Sequence, residues 1–161
     1  MSQTRKLLLA MGMLASTAGA ALAQTYSVGP IKVEQPWVRA TPGGAKVGGG
    51  YMTITNTGTT PDRFLGGTLP QAGRFELHEM KMEGATMQMR EVKGGLEIGP
   101  GQTVELKPSG YHIMLMDLRA PFRQGDKLKG QLRFEKAGTV DIEFKVESIG
   151  AGAPAMPKHS H

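Results

Sequence analysis

From His78 onward the chain changes side-chain chemistry at every second position. His78, Met80 and Met82 share one parity, Glu79 and Lys81 the other, and Met87 and Met89 resume the rhythm after a short interval. Only an extended strand turns this spacing into two chemically distinct faces, because successive side chains point to opposite sides with period 2. A helix would scatter the same residues around its circumference. The chain is thus committed to a strand with one charged face and one face of imidazole and thioether groups. A second stretch, His112-Ile113-Met114-Leu115-Met116, sets His112 and Met114 against apolar Ile113 and Leu115.

Strand signals also lie at 51–55, 74–80, 96–98, 103–106, 111–118, 128–134 and 140–146. Asn56-Thr57-Gly58, Pro100-Gly101, Pro108-Ser109-Gly110, Gly125-Asp126 and Ala137-Gly138 punctuate them as turns. Many short strands at this spacing, with little helical periodicity, predict an all-β antiparallel sandwich or barrel. The glycine-rich run at 43–50 lacks the Gly-Lys-Ser/Thr ending of a phosphate loop. It reads as a flexible loop ahead of the Tyr51 strand.

Residues 1–23 read as a secretory signal peptide cut before Gln24: Arg5 and Lys6, an apolar run from Leu7 to Leu14, then Ala21-Leu22-Ala23. The apolar run is far shorter than the roughly 20 residues needed to span a bilayer, so the mature chain is expected outside the cytoplasm and not membrane-spanning. Taking 23 from 161 leaves 138 residues. We expect one domain at 24–149 and a flexible Gly/Ala/Pro-rich tail at 150–161. No cysteine occurs, which excludes disulfides and thiolate chemistry. Without Arg5 and Lys6, 17 basic residues face 14 acidic ones, a scattered net charge of +3. Nucleic-acid binding, which uses a basic patch, is not expected.

Soft donors without cysteine narrow the chemistry. If Glu83-Gly84 forms a two-residue turn, Met80 faces Met87 and His78 faces Met89, at Cβ separations of about 4.5–5.5 Å. His112 and Met114 share a face of a second strand, directly after the Pro108-Ser109-Gly110 turn. The candidate metal ligands are His78, Met89, His112 and Met114. Zinc sites draw on cysteine, histidine and carboxylate, and blue-copper sites require a thiolate. Two imidazoles with two thioethers suit d¹⁰ Cu(I). No paired carboxylates and no Ser/His/Asp order point to an enzyme. Methionine also fills cores, so a metal-free β-sandwich interaction module stays open.

The pattern His78-x10-Met89 followed by His112-x-Met114 resembles that of the periplasmic copper chaperones named PCu(A)C. Val38-Arg-Ala-Thr-Pro-Gly-Gly-Ala-Lys-Val47, Tyr51-Met-Thr-Ile-Thr-Asn56, Gly94-Gly-Leu-Glu-Ile98 and Gly110-Tyr-His-Ile-Met-Leu-Met116 extend the likeness over residues 31–146. The spacing from Met89 to His112 is one residue longer than in the family's motif. The resemblance implies a cupredoxin-like Greek-key β-sandwich binding one Cu(I) through His78, Met89, His112 and Met114. It implies copper delivery in the periplasm to the CuA centre of cytochrome c oxidase, beside a Sco-type thioredoxin-like partner. Storage or detoxification of copper is the alternative within the same chemistry. The tail resembles His- and Met-bearing extensions of some members, which makes Met156, His159 and His161 secondary candidates for Cu(II).

Overall fold

The computed structural model describes residues 24–152. The expected signal peptide and Met156, His159 and His161 lie outside the described residues. Eleven strands follow in order: β1 Thr25–Val28, β2 Ile31–Arg39, β3 Val47–Asn56, β4 Asp62–Thr68, β5 Ala72–Glu83, β6 Thr86–Glu91, β7 Leu96–Ile98, β8 Thr103–Leu106, β9 His112–Leu118, β10 Lys127–Phe134 and β11 Gly138–Glu147. Among the described residues there is no helix. The expected all-β class is what the chain adopts.

Hydrogen bonding orders the strands β6-β5-β9-β3-β2-β11-β10-β4-β7, with β1 added to β2 and β8 to β3. β4 also packs on β5, so the sheet curls until its flanks meet. One pairing departs from the antiparallel expectation: β2 and β11 run parallel, with Val146 opposite Val38. Parallel neighbours need a long connection, and the chain between these two strands supplies it. The sheet is therefore mixed.

Alternation decides the core. Ile113 and Leu115 of β9, Ile31, Val33 and Val38 of β2, and Ile142, Phe144 and Val146 of β11 turn inward and are buried. In β2 the inward parity changes between Val33 and Val38. Gln35 adopts φ 50 and the register against β3 slips between Glu34 and Trp37, a bulge that resets the alternation. Phe64, Phe122, Phe134 and Phe144 are fully buried, and truncating such a ring to alanine costs about 3–5 kcal/mol.

Two expectations need correction. The run at 43–50 is not wholly a loop, because β3 begins at Val47 and Gly48, Gly49 and Gly50 pair with Leu115, Met114 and Ile113. Glycine is required there by close approach: a Cβ on Gly49 would lie 2.6 Å from the Tyr51 hydroxyl, and one on Gly48 2.9 Å from the Phe122 ring. At the other end, the first residues assigned to the tail are held. The Arg39 guanidinium donates to the Ala151 carbonyl from Nη2 (2.7 Å) and Nε (3.1 Å).

Asp62 ties β4 to the β10–β11 turn. Its buried carboxylate accepts the backbone N–H groups of Arg63 (2.7 Å), Lys136 (2.8 Å) and Ala137 (2.9 Å). Burial pushes the carboxyl pKa up, but these three amides and the Lys136 charge outweigh it and hold the pKa below its ordinary value.

Candidate metal centre

β5 and β9 are neighbours, and their register sets His78 directly opposite His112. The ring centroids are 6.0 Å apart with planes at 47°. Both residues are buried. His112 leaves a turn closed by the Gly110 amide, which donates to the Lys107 carbonyl at 3.0 Å. The Gly110 carbonyl then accepts twice: from His112 Nδ1 at 3.0 Å and from the Met80 amide at 3.2 Å. The first bond assigns the His112 proton to Nδ1 and leaves a lone pair on Nε2. That lone pair faces the Met89 sulfur at 3.2 Å. Two soft donors face each other with no proton between them, the juxtaposition a bridging metal ion uses.

His78 is organised from the other side. Its Nε2 lies 2.9 Å from a Glu76 carboxylate oxygen. A carboxylate only accepts, so Nε2 carries a proton, and in the neutral tautomer that this bond selects Nδ1 holds the lone pair. His78 Nδ1 is buried and has no hydrogen-bond partner. Leaving such a group unpaired costs about 1–3 kcal/mol, a cost that coordination of a metal would remove. Glu76 is itself fixed by Arg74, whose Nη1 reaches Glu76 at 3.0 Å and whose Nε reaches Asp117 at 2.8 Å. This is the carboxylate–histidine–metal arrangement that sets ring orientation and ligand basicity.

The hairpin register differs from the expected one. Glu83 pairs with Thr86, Met82 with Met87, Met80 with Met89, and His78 with Glu91. The turn is Gly84-Ala85, with Gly84 at φ 63. Glycine at the first central position is the type II′ requirement, whereas a turn on Glu83-Gly84 of type I′ would force φ > 0 on Glu83. His78 therefore does not stand opposite Met89. The two registers differ by an even number of residues, so His78 and Met89 remain on one face.

Met89, His112 and Met114 line a cleft of about 420 Å³ together with Met80, Tyr51 and Arg39. His78 does not line it. One cleft wall is packed: the Trp37 and Tyr51 rings lie 4.4 Å apart, tilted by 39°, and Arg39 lies 5.8 Å from the Tyr51 ring centroid. Burial raises the Tyr51 phenol pKa against the opposing Arg39 charge, so the phenol is neutral at neutral pH. Burial likewise lowers the His112 pKa, helped by His78 and opposed by the Gly110 hydrogen bond. His112 is a neutral donor at pH 7. Among the described residues no three histidine, cysteine or carboxylate side chains converge as a metal site, so an ion held here draws on sulfur.

Comparison with known proteins fits this geometry. The family described as "Putative lipoprotein LpqE-like" matches residues 31–146. The chain belongs to this LpqE-like family. A relative from Leifsonia xyli subsp. xyli (strain CTCB07), "Putative lipoprotein Lxx21020", is 33% identical over 119 residues, covering 74% of this chain and 70% of its own. Among solved structures, "Apo PCuAC domain from PmoF1" is similar at TM-score 0.66 and 31% identity, covering 78% of this chain and 99% of that one. "Copper-bound PCuAC domain from PmoF2" gives TM-score 0.66 and 30% identity over 78% and 98%. The Cu(I) form of DR1885 from Deinococcus radiodurans gives 0.60 and 28% over 83% and 85%. The resemblance to PCu(A)C proteins and the cupredoxin-like β fold are both upheld. "Lipoprotein" is part of the description of the family and of the relative and is said of them alone.

In this LpqE-like chain the expected four residues divide into two groups. His112, Met89 and Met114 share the cleft, and His78 approaches from the adjacent strand. Sequence reasoning passed over Glu76, although its place two residues before His78 in an alternating strand put both on one face. It also passed over the Gly110 carbonyl and the Arg39–Tyr51 wall, which only the tertiary fold brings to the site.

Proposed function

We propose that this protein is a copper chaperone that holds one Cu(I) with His78 Nδ1, His112 Nε2, Met89 Sδ and Met114 Sδ. The observation carrying this reading is the 3.2 Å approach of His112 Nε2 to Met89 Sδ. The free, buried Nδ1 of His78 supports it. Thioether and imidazole select Cu(I), with no strong geometric demand from a d¹⁰ ion. Copper-bound relatives of the same fold lend further support.

Transfer requires an ion reachable by a recipient's ligands. Met89 is half exposed at the cleft mouth while both histidines are buried. An incoming ligand displaces the methionine first, and the histidines hold the ion until exchange is complete. Such a site carries copper and performs no catalysis. Delivery to the CuA centre of cytochrome c oxidase in the periplasm, beside a Sco-type partner, is the physiological role we assign after export by the 1–23 leader. Met156, His159 and His161 form a separate Cu(II)-binding arm in this reading. Deleting 156–161 lowers Cu(II) stoichiometry and leaves Cu(I) binding intact; an unchanged Cu(II) count would remove the arm from the account.

The direct test is anaerobic Cu(I) titration against a chromophoric competitor, beside a Met89→Leu/Met114→Leu variant. One tight equivalent in the parent, lost in the variant, is the expected result. Binding indifferent to both methionines would return them to packing and leave a metal-free β module.

A further inference from the structure

The β5–β6 hairpin runs past the body of the domain and carries more thioethers than the site above uses. Every residue of β6 is exposed, and so are Lys81, Met82 and Glu83 of β5. Its two faces differ sharply. Glu79, Lys81, Glu83, Gln88 and Arg90 occupy one, where Arg90 pairs with Glu79 at 3.1 Å and Glu83 at 3.7 Å. The other face holds Met82 opposite Met87 and Met80 opposite Met89.

Core filling, the ordinary use of methionine, does not account for this face. Met82 is 56% exposed and Met87 46%. Their pairing is also close. The Val92 amide donates to the Leu77 carbonyl at 2.8 Å. Antiparallel pairs alternate, so 77/92, 79/90, 81/88 and 83/86 are the hydrogen-bonded pairs. The two methionine pairs fall on the intervening positions, where Cα atoms approach to about 4.5 Å and side chains lie closer together. Two residues along a strand is about 7 Å, so the outer pair sits one such step from Met89, the sulfur that touches His112.

We propose that Met82 and Met87, with Met80, form a second, outer thioether site for Cu(I), from which the ion passes along the same face to Met89 and His112. Three uncharged thioethers hold a soft monovalent ion more weakly than a site that includes two imidazoles. The outer site loads after the inner one at equilibrium, yet it is the first met by an ion arriving at the hairpin tip. The choice of ion rests on the copper reading above; the two sites themselves fail separately.

The test uses the mature protein with ¹³C-methyl-labelled methionine, titrated with Ag(I) as an air-stable d¹⁰ probe. The first equivalent should shift the Met89 and Met114 methyls, and the second those of Met82 and Met87. Met82→Leu/Met87→Leu keeps the apolar surface and fold and should lose the second equivalent while retaining the first. A surface built only for docking a protein would leave Met82 and Met87 unshifted at two equivalents, and that result overturns the proposal. So does a second equivalent that moves only Met156, or one that survives in the leucine variant. Shifts at Met82 and Met87 with none at Met89 or Met114 would uphold the outer site and overturn the inner one.

Discussion

Glu76 accepts the Nε2 proton of His78 at 2.9 Å and thereby turns Nδ1 into the free donor of that ring. The carboxylate does not line the cleft and works through the histidine, although its strand position lies opposite Met114. Glu76→Ala should release the ring to either tautomer and lower Cu(I) affinity by about 10- to 100-fold, the usual cost of losing an outer-shell partner. ¹⁵N spectra of His78 would report the lost tautomer preference even before metal is added. An unchanged tautomer and affinity would show that Glu76 has no part in the site.

Met89 should separate binding from folding. Its side chain is half exposed, so Met89→Leu ought to change stability by no more than about 0.5 kcal/mol. Removing a ligand should cost affinity at least as much as removing an outer-shell partner, about 10- to 100-fold or more. Thermal melts beside Cu(I) competition check both halves. A variant that melts early while binding copper normally would make Met89 a structural residue.

The His112 pKa predicts how the metal-free protein responds to acid. Burial holds the folded value below the unfolded one of about 6.5. The unfolded chain therefore binds more protons in acid, and stability rises with pH through that window. The contribution of the buried neutral ring is complete above about pH 6.5 and erodes as pH falls towards the lowered folded value. His112→Gln should flatten this part of the pH–stability curve. A curve unchanged by the substitution would contradict the burial argument.

Asp62 acts at lower pH. Its folded pKa is depressed below the unfolded value of about 3.9, so the stability it supplies is present above that value and lost as pH falls through the folded pKa. Asp62→Asn keeps an acceptor for some of the three amides but turns an N–H₂ towards another, at a cost of about 1–3 kcal/mol at pH 7. Denaturant titration at pH 7 and below 3 should show the difference between parent and variant shrinking in acid.

Much of the site was legible because period-2 alternation carries chemistry and geometry together. Leu96–Ile98 and Thr103–Leu106 form as the apolar runs and flanking turns indicate. The inward Ile113 and Leu115 fix the outward face of His112 and Met114. The hairpin register was not legible, because Glu83-Gly84 and Gly84-Ala85 both offer a two-residue turn with φ > 0 at Gly84, and the choice rests on Glu83, which does not take up the positive φ that the first of them needs. β2 and β4 were hidden by Pro36 at the bulge and by Gly66-Gly67 in mid-strand, residues that punctuate loops elsewhere. Glycine fits at 67 because the Gln131 backbone and the Phe75 ring leave no room for a Cβ, a reason that exists only once the sheet has curled.

X-ray absorption at the copper edge tests the central claim most directly. On the protein loaded with one equivalent of Cu(I), the account predicts a first shell of two nitrogen and two sulfur scatterers, with one sulfur lost in Met89→Leu and one nitrogen in His78→Ala. A shell of nitrogen and oxygen without sulfur, or one unaltered by both substitutions, would contradict it.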